Sequence, residues 1–247
     1  MNFKLAVGLF LLVISGSAFA ATDDDRNLIA AAGKGDLAVF NMMLGWGANP
    51  DALDKGGNSA ILMAAYYERR DMVRRLIELN VDVNAKGSIG YTPVGVAAMR
   101  DDPEILGMLI KNGAKLDVHD GAKGTPLLNA IQFQYDENVR MLLAAGANAD
   151  LAGAFGMTPL MMAAQMGRAD YVDALLAKGA DVNMRGDQQS TALYFALFEG
   201  HDDIARKLIR AGANLRLPVN GYTPLHWARV MDRADIVPLM VEAGAIE

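Results

Sequence analysis

Cysteine is absent from this 247-residue chain, so disulfide bonds, thiol nucleophiles and thiolate metal sites are excluded. Histidine is scarce as well, and no two of His119, His201 and His226 have the spacing of metal ligands. The Gly-x-Ser-x-Gly sequence of serine hydrolases does not occur. The sequence therefore offers no catalytic or metal-binding motif, and we expect neither enzymatic activity nor a cofactor.

Positive charge is also in short supply. The chain has 23 Lys and Arg residues against 29 Asp and Glu residues, which gives a net charge of −6. A protein that binds nucleic acid or an anionic membrane would carry a basic face. The local cluster of Arg69, Arg70, Arg74 and Arg75 is interpreted as a solvated helix surface. The composition therefore predicts no nucleic-acid partner.

The N-terminal region has the pattern of a secretory signal peptide. Lys4 precedes an apolar run of ten residues from Leu5 to Ile14, and Ala18-Phe19-Ala20 has the small-x-small form of a cleavage site. Ten residues are too few to span a bilayer as a helix, so a membrane anchor is the weaker interpretation. We expect residues 1–20 to be removed after Ala20 and the remainder to be free of the membrane. The features are bacterial, which favours the periplasm first and full export second.

The rest of the chain is a repeat of 33 residues. Three columns of residues recur with this period, and the final interval of each column is one residue shorter. A helix-opening position holds Ser59, Thr92, Thr125, Thr158, Thr191 and Thr223. An alanine occurs in all seven copies, at Ala31, Ala64, Ala97, Ala130, Ala163, Ala196 and Ala228. A turn position holds Gly47, Asn80, Gly113, Gly146, Gly179, Gly212 and Gly244.

The copy from Gly156 to Asn183 shows what one unit encodes. Thr158 followed by Pro159 is a helix start, because the hydroxyl can accept from the first free amides and proline suits the first helical position. This first helix runs through Gln165, a second one follows with Asp170 in its first turn, and Gly179 ends it. Two helices this short cannot bury their apolar faces alone, so neighbouring copies must stack.

This period, with Thr-Pro-Leu openings and Gly-Ala-Asp-Val-Asn closings, resembles the ankyrin repeat family. The resemblance implies an all-α repeat solenoid of antiparallel helix pairs with β-hairpin-like loops and a concave surface that binds a partner protein. We place seven repeats in residues 21–247, at approximately 25–54, 55–86, 87–120, 121–153, 154–185, 186–217 and 218–247. The histidine of the family's Thr-Pro-Leu-His occurs only at His226, so hydrophobic packing must contribute more of the cohesion here.

Several single positions carry expectations of their own. We expect Asp25 to cap a first helix over residues 27–32, and His119 to be solvated in a hairpin. Trp46 and Trp227 lie near opposite ends and are expected to cover the end repeats. An acidic residue recurs at the predicted start of each later second helix, where it meets the positive end of the helix dipole; this column contains Asp71, Glu104, Glu137, Asp170, Asp203 and Asp235.

Aromatic, methionine and polar side chains recur two or three residues after the alanine column and just before the hairpin threonines. Soluble surfaces seldom align such residues without using them, and the same types are common anchors of protein interfaces. Packing between repeats is the alternative explanation for individual members. The predicted partner-binding residues are Tyr66, Tyr67, Tyr91, Met99, Arg100, Phe133, Met157, Gln165, Met166, Phe198 and Tyr222.

The function predicted from these features is a non-catalytic interaction module in the periplasm, monomeric in isolation, that holds a protein partner in its concave groove. Similar secreted ankyrin proteins indicate two forms of this function: an inhibitor or immunity protein, or an accessory factor of a periplasmic enzyme such as a catalase. A secreted effector directed at a host protein is the alternative, and an enzyme is a remote one.

Overall fold

A computed structural model describes residues 21–87, 89–121 and 124–246 of the chain. The predicted signal peptide, residues 1–20, lies outside the described residues. Within them, fourteen α-helices follow one another as seven antiparallel pairs. The structure is thus the all-α repeat solenoid that the 33-residue period predicts.

The odd-numbered helices are called first helices and the even-numbered ones second helices. The first four pairs are α1 (Asp23–Lys34) and α2 (Leu37–Gly45), α3 (Ala60–Tyr66) and α4 (Arg70–Glu78), α5 (Pro93–Ala98) and α6 (Pro103–Lys111), and α7 (Pro126–Gln132) and α8 (Asp136–Ala144). The last three are α9 (Pro159–Gln165) and α10 (Ala169–Ala177), α11 (Ala192–Glu199) and α12 (Asp202–Arg210), and α13 (Pro224–Val230) and α14 (Val237–Glu242).

The hydroxyl groups of the opening column cap the first helices α3 to α13. Each accepts a hydrogen bond from the backbone N–H three residues later, as Thr158 does from Met161 at 3.2 Å. The second helices end where the turn column predicts. Gly179 follows α10 with φ +84°, and Asn80 takes the same left-handed conformation with φ +56°, as the second-choice residue for this position.

The alanine column forms the centre of the core. All seven alanines are at most 3% exposed, and each first helix packs against its own second helix and against the next first helix. A residue with a larger side chain would hold these short helices apart, so alanine sets their close approach. The second helices add aliphatic side chains such as Leu76, Leu109 and Leu142, which are fully buried.

Both ends of the stack differ from the expectations. Helix α1 begins at Asp23 with Thr22 as its cap, and Asp25 is the third helical residue of a capping box. Asp25 also accepts a hydrogen bond from Asn49 N–H at 2.7 Å, so its carboxylate joins α1 to the first outgoing loop. Asp235 lies before α14 rather than in its first turn, because that helix begins only at Val237.

The two tryptophans behave differently. Trp46 is 65% exposed at the C-terminal cap of α2, too exposed to cover the end repeat, so that expectation was wrong. Trp227 is half-buried in α13, and its indole N–H donates to the carbonyl of Val219 at 3.0 Å, which ties the last hairpin to the last first helix.

The loops that leave the second helices are joined by a ladder of side-chain hydrogen bonds. In five successive loops an Asp or Asn oxygen accepts from a backbone N–H that lies 31 residues further along the chain, at 2.7–2.8 Å. We call this set the loop ladder; its acceptors are Asp51, Asn84, Asp117, Asp150 and Asn183. The ladder fixes each loop to the next one and so keeps consecutive repeats in register.

A buried carboxylate joins α5 to the hairpin that follows it. Asp120 is 3% exposed, and its carboxylate fills the space left by Gly95, where an added Cβ would lie 1.7 Å from the oxygen Oδ2. The Asn129 side-chain amide donates to Asp120 Oδ2 at 3.2 Å and to the Gly95 carbonyl at 3.4 Å. Burial raises the pKa of the Asp120 carboxyl above its usual value.

Replacing Asp150 by alanine should weaken the stack, because it removes the acceptor for the Asp181 N–H, which lies 2.8 Å away. We expect the free energy of unfolding to fall by about 1 kcal/mol, the net contribution of a typical hydrogen bond. Asp150→Asn is the matched control and should stay close to the wild type, since asparagine serves at the same ladder position in Asn84 and Asn183. Equal urea midpoints for the alanine and asparagine variants would show that the ladder adds nothing to stability.

Asp120 should make stability depend on pH. A carboxyl whose folded pKa is raised contributes stability that is complete below its unfolded value of 3.8 and is lost as pH rises through the folded pKa. Asp120→Asn removes this loss. We therefore expect the variant to gain stability relative to the wild type as the pH rises above about 3.8, as measured by urea unfolding at each pH. A difference in the free energy of unfolding between the two proteins that does not change with pH would contradict this assignment.

Candidate functional site

The column predicted to contact a partner lies at the C-terminal ends of the first helices. Backbone N–H groups here still bond to carbonyls in the last helical turn, as Tyr67 does to Met63 at 3.1 Å, so the helices fix where these side chains start. Tyr66 is the last residue of α3, and Phe198 lies in the last turn of α11. The residues that cap successive first helices are Tyr67, Met99, Phe133 and Met166.

A cavity of about 600 Å³, here called the first cavity, opens beside this column. It lies between the ends of α3, α5 and α7 and the hairpin that carries Ile89 and Tyr91. Six of the predicted residues line it: Tyr66, Tyr67, Tyr91, Met99, Arg100 and Phe133. The structure therefore brings together residues that are up to 67 positions apart in the sequence.

Two further cavities continue the first along the stack. The second, of about 420 Å³, shares Tyr91, Met99 and Phe133 with the first cavity. The third, of about 360 Å³, shares Phe155 and Met157 with the second and also contains Gln165 and Phe198. Because adjacent cavities share wall residues, the three form one continuous depression, which we call the groove.

Several aromatic side chains of the groove are open to solvent. Tyr66 and Tyr67 are each 46% exposed, and their rings meet edge to face with centroids 5.0 Å apart. Phe133 is 47% exposed and stacks on Tyr135 at 6.1 Å. Exposed rings held by their neighbours lose little side-chain entropy on binding, which suits them to an interface.

Tyr91 is held more tightly than the others. It is half-buried because its ring lies across the following hairpin at Gly121, where an added Cβ would come within 2.4 Å of the ring. Gly121 has φ +35° and leaves the space that the tyrosine fills. The ring thus forms a fixed wall between the first and second cavities.

Two predicted residues have other surroundings. Met166 is half-buried and packs against the hydrophobic core, which agrees with the alternative explanation that some of these residues pack between repeats. Tyr222 is 50% exposed and belongs to an aromatic cluster, where it stacks on His226 with centroids 4.4 Å apart and meets Trp227 edge to face.

Other groove residues escaped the prediction. Ile89 and Phe155 are 69% and 81% exposed, and both lie three residues before a capping threonine, at the hairpin tip. Phe155 has φ +57°, an unfavourable conformation for a bulky residue. Extending the hairpin column by two residues towards the N-terminus would have found this pair. Asp120 and Asn129, which line the second cavity, had no signal in the period.

Arg100 is the charged residue of the first cavity. Its guanidinium carbon lies 4.4 Å from the centroid of the Tyr66 ring, a cation–π contact. Its Nε atom is buried and has no hydrogen-bond partner within the described part of the chain. None of the ion pairs found among these residues includes Arg100.

The arginines of the basic cluster in the second repeat, in contrast, form hydrogen bonds and ion pairs within the protein. Arg69 donates to the Gly33 carbonyl at 3.1 Å, and Arg70 pairs with the buried carboxylate of Asp102 at 2.7 Å. Ion pairs to Asp71 and Glu104 hold Arg74, and Arg75 pairs with Glu78. These arginines lie on half-exposed helix surfaces and serve the stack, which agrees with the interpretation from sequence.

A second polar network joins α8 to α10. Arg168 pairs with Asp136 and Asp170 at 2.6 Å and lies over the ring of Tyr171. Burial, together with the hydrogen bond that its hydroxyl donates to Asp136, raises the pKa of Tyr171. These groups connect second helices on the other layer from the groove, so their perturbed pKa values reflect structure.

The histidines are distributed over the stack. His119 is exposed as expected, but its Nε2 also lies 2.8 Å from the Ala152 carbonyl and so bridges two hairpins. His201 Nε2 is 3.2 Å from the Gln165 carbonyl. The residues that the structure describes contain no group of three or more His, Asp or Glu side chains arranged to hold a metal ion. Nor does any helix in the described ranges have the length and apolar character needed to cross a bilayer.

The chain is similar to parts of several known proteins. Its sequence is 38% identical over 82 residues to human neurogenic locus notch homolog protein 1, and 33% identical over 105 residues to the glycerophosphocholine phosphodiesterase gde1 of Schizosaccharomyces pombe. These alignments cover 32% and 42% of the chain but only 3% and 9% of the relatives, so the chain spans less than a tenth of either protein.

The fold has a close counterpart among solved structures. The ankyrin repeat domain of Bcl-3, a member of the IkappaB protein family, superposes with a TM-score of 0.74 at 26% identity, covering 85% of this chain and 97% of that domain. The family model for ankyrin repeats matches three times, over residues 28–120, 95–186 and 184–246. Together these matches extend across nearly all of the described residues, and the chain belongs to the ankyrin repeat family.

Proposed function

We propose that this protein is a non-catalytic binding module that holds a partner protein in the groove. The observation that carries the proposal is the row of exposed aromatic side chains at the ends of successive first helices, which line three connected cavities together with the half-buried Met99. The proposed contact residues are the eleven predicted from sequence, with Tyr66, Tyr67 and Phe133 at the centre of the contact.

The family and the chemistry of the groove both support this proposal. Ankyrin repeat domains generally mediate protein–protein interactions, and the fold is typically a non-catalytic scaffold. Aromatic side chains dominate the binding energy of many interfaces, and methionine adapts to irregular partner surfaces. The first cavity has the size of a ligand pocket and is open along the stack, which suits several side chains of a partner segment.

The biological setting belongs to the proposal as well. The signal peptide predicted over residues 1–20 would deliver the mature protein to the periplasm, where it would inhibit a toxic protein or assist an enzyme of the cell envelope. A host-directed effector would use the same groove on a foreign protein. The final location of the protein distinguishes these roles.

Removing two groove aromatics should abolish partner binding without unfolding the protein. For Tyr67→Ala combined with Phe133→Ala we expect at least about 30-fold weaker binding, since an interface hot spot contributes about 2 kcal/mol or more. The native partner is first recovered by affinity capture from the cell envelope with mass spectrometry, and its affinity is then measured with purified proteins. Trp46→Ala is the matched control, because it removes an exposed aromatic from the other helix layer.

The stability of the double variant separates binding from packing. Truncation of a buried aromatic costs roughly 3–5 kcal/mol, and the half-exposed rings should cost much less. A large loss of stability with the partner still bound would show that the two rings are structural and would remove them from the proposed site.

Fractionation of cells that produce the protein should place it in the periplasmic extract, with Ala21 as its N-terminal residue because cleavage is expected after Ala20. N-terminal sequencing and immunoblots of the fractions measure both properties. Accumulation in the culture medium would support the effector instead, and an uncleaved chain in the cytoplasm would contradict the envelope role.

A further inference from the structure

Arg100 differs from the arginines of the neighbouring second helices α4 and α8. The side chains of Arg70, Arg74 and Arg140 are each paired with at least one carboxylate. Arg100 makes no ion pair in the described ranges, although acidic residues outnumber basic ones by 29 to 23 in the whole chain. The composition favours pairing, so an unpaired guanidinium here needs a reason.

The surroundings of Arg100 make its unpaired state unfavourable. Its Nε atom is buried without a hydrogen-bond partner, and its guanidinium lies on the face of Tyr66. Loss of water around a polar or charged group costs free energy unless another group replaces the lost hydrogen bonds. A cation–π contact to Tyr66 offsets part of this cost but supplies no hydrogen-bond acceptor in the plane of the guanidinium.

The first cavity around Arg100 is otherwise neutral. Of the described residues that line it, Arg100 alone carries a charge at neutral pH, and most of the others are aromatic or aliphatic. The second cavity contains Asp120, and the third contains Asp187 and Glu199. The groove therefore changes sign along its length, and its cationic end coincides with its largest and most aromatic cavity.

A carboxylate is the group that best matches this site. A guanidinium presents a planar set of N–H donors that matches the two oxygens of a carboxylate, and such charge-assisted pairs are stronger when water is excluded. A phosphate would find a single cation there, whereas phosphate sites gather several donors or a helix N-terminus. The aromatic walls fit the apolar neighbours of an acidic residue in a peptide segment.

We propose that the first cavity binds an aspartate or glutamate side chain of the partner protein, which pairs with Arg100 while adjacent apolar residues of the partner pack on Tyr66, Tyr67 and Phe133. This inference rests on the proposed function of the groove and specifies the chemistry of its occupant. In the complex the carboxylate pairs with the Nη groups of Arg100, which make no ion pair within the described part of the free protein.

The test uses a displayed library of random nine-residue peptides, selected against the purified full chain. Wild type, Arg100→Gln, Arg140→Gln and the Tyr67→Ala and Phe133→Ala double variant are selected in parallel. Arg140→Gln is the matched control, because it removes the same charge from an exposed pair with Glu137 on the other helix layer. We expect peptides with an acidic residue among apolar ones for wild type and Arg140→Gln, and no acidic preference for Arg100→Gln.

A selected peptide and its Glu→Gln or Asp→Asn twin then give the strength of the pair by calorimetry. The acidic peptide should bind wild type at least about tenfold more tightly than its twin, since a hydrogen bond to a charged group contributes about 1.5–3 kcal/mol. Against Arg100→Gln the two peptides should bind equally. Thermal unfolding of each variant confirms that the comparison is made between folded proteins.

The possible outcomes separate this inference from the proposed function. Peptides that require Tyr67 and Phe133 but show no acidic preference, or keep it with Arg100→Gln, would overturn the pairing and leave the groove as the binding site. Selected peptides that bind the double variant as tightly as the wild type would count against both proposals. So would the absence of enrichment for any of the folded proteins.

Discussion

The structure depends on the close contact between successive first helices at the buried alanine column. Because each helix pair is too short to bury its own apolar face, neighbouring pairs must supply the missing contacts. The seven alanines, at most 3% exposed, set the distance at which they do so. Once this contact is fixed, the C-terminal ends of the first helices stand in a row, and whatever residue follows the last helical turn is presented beside its counterparts. The groove is a consequence of the packing.

The loops need a separate constraint, because hairpins have no core of their own. In the described residues they contain isolated antiparallel bridges and no longer strands. The loop ladder supplies the constraint on one side, with acceptors spaced 33 residues apart from Asp51 to Asn183. On the other side, local contacts hold the hairpins in place. Tyr91 lies across Gly121, and Asp120 fills the gap at Gly95. These contacts position the hairpins that form the outer wall of the groove.

The sequence predicted what depends on the period and missed what depends on contacts between copies. Helix pairs, threonine caps, left-handed turns and the buried alanines all follow from local rules applied once per repeat, and the structure contains them. The position of the predicted column at the helix ends followed for the same reason, and its role in partner binding stays a prediction. Asp and Asn recur visibly at the ladder positions, but their role was not predicted. Their side-chain oxygens accept hydrogen bonds from backbone N–H groups of the next repeat, and this contact between copies cannot be read from one repeat alone. Asp120 was missed because its position depends on one glycine, Gly95, in helix α5.

Each repeat contains residues that stabilise the stack and residues at the end of the first helix that do not, and Arg100 belongs to the second group. Residues that hold the stack together, such as those of the ladder and the alanine column, have their hydrogen bonds and contacts satisfied within the protein. Residues at the ends of the first helices are free of that requirement, so their side chains can vary from copy to copy without cost to the fold. An arginine at this position gains no stability from remaining unpaired. The guanidinium lies against an aromatic wall without an ion pair in the described residues, which is the feature that the proposed acidic partner residue would explain.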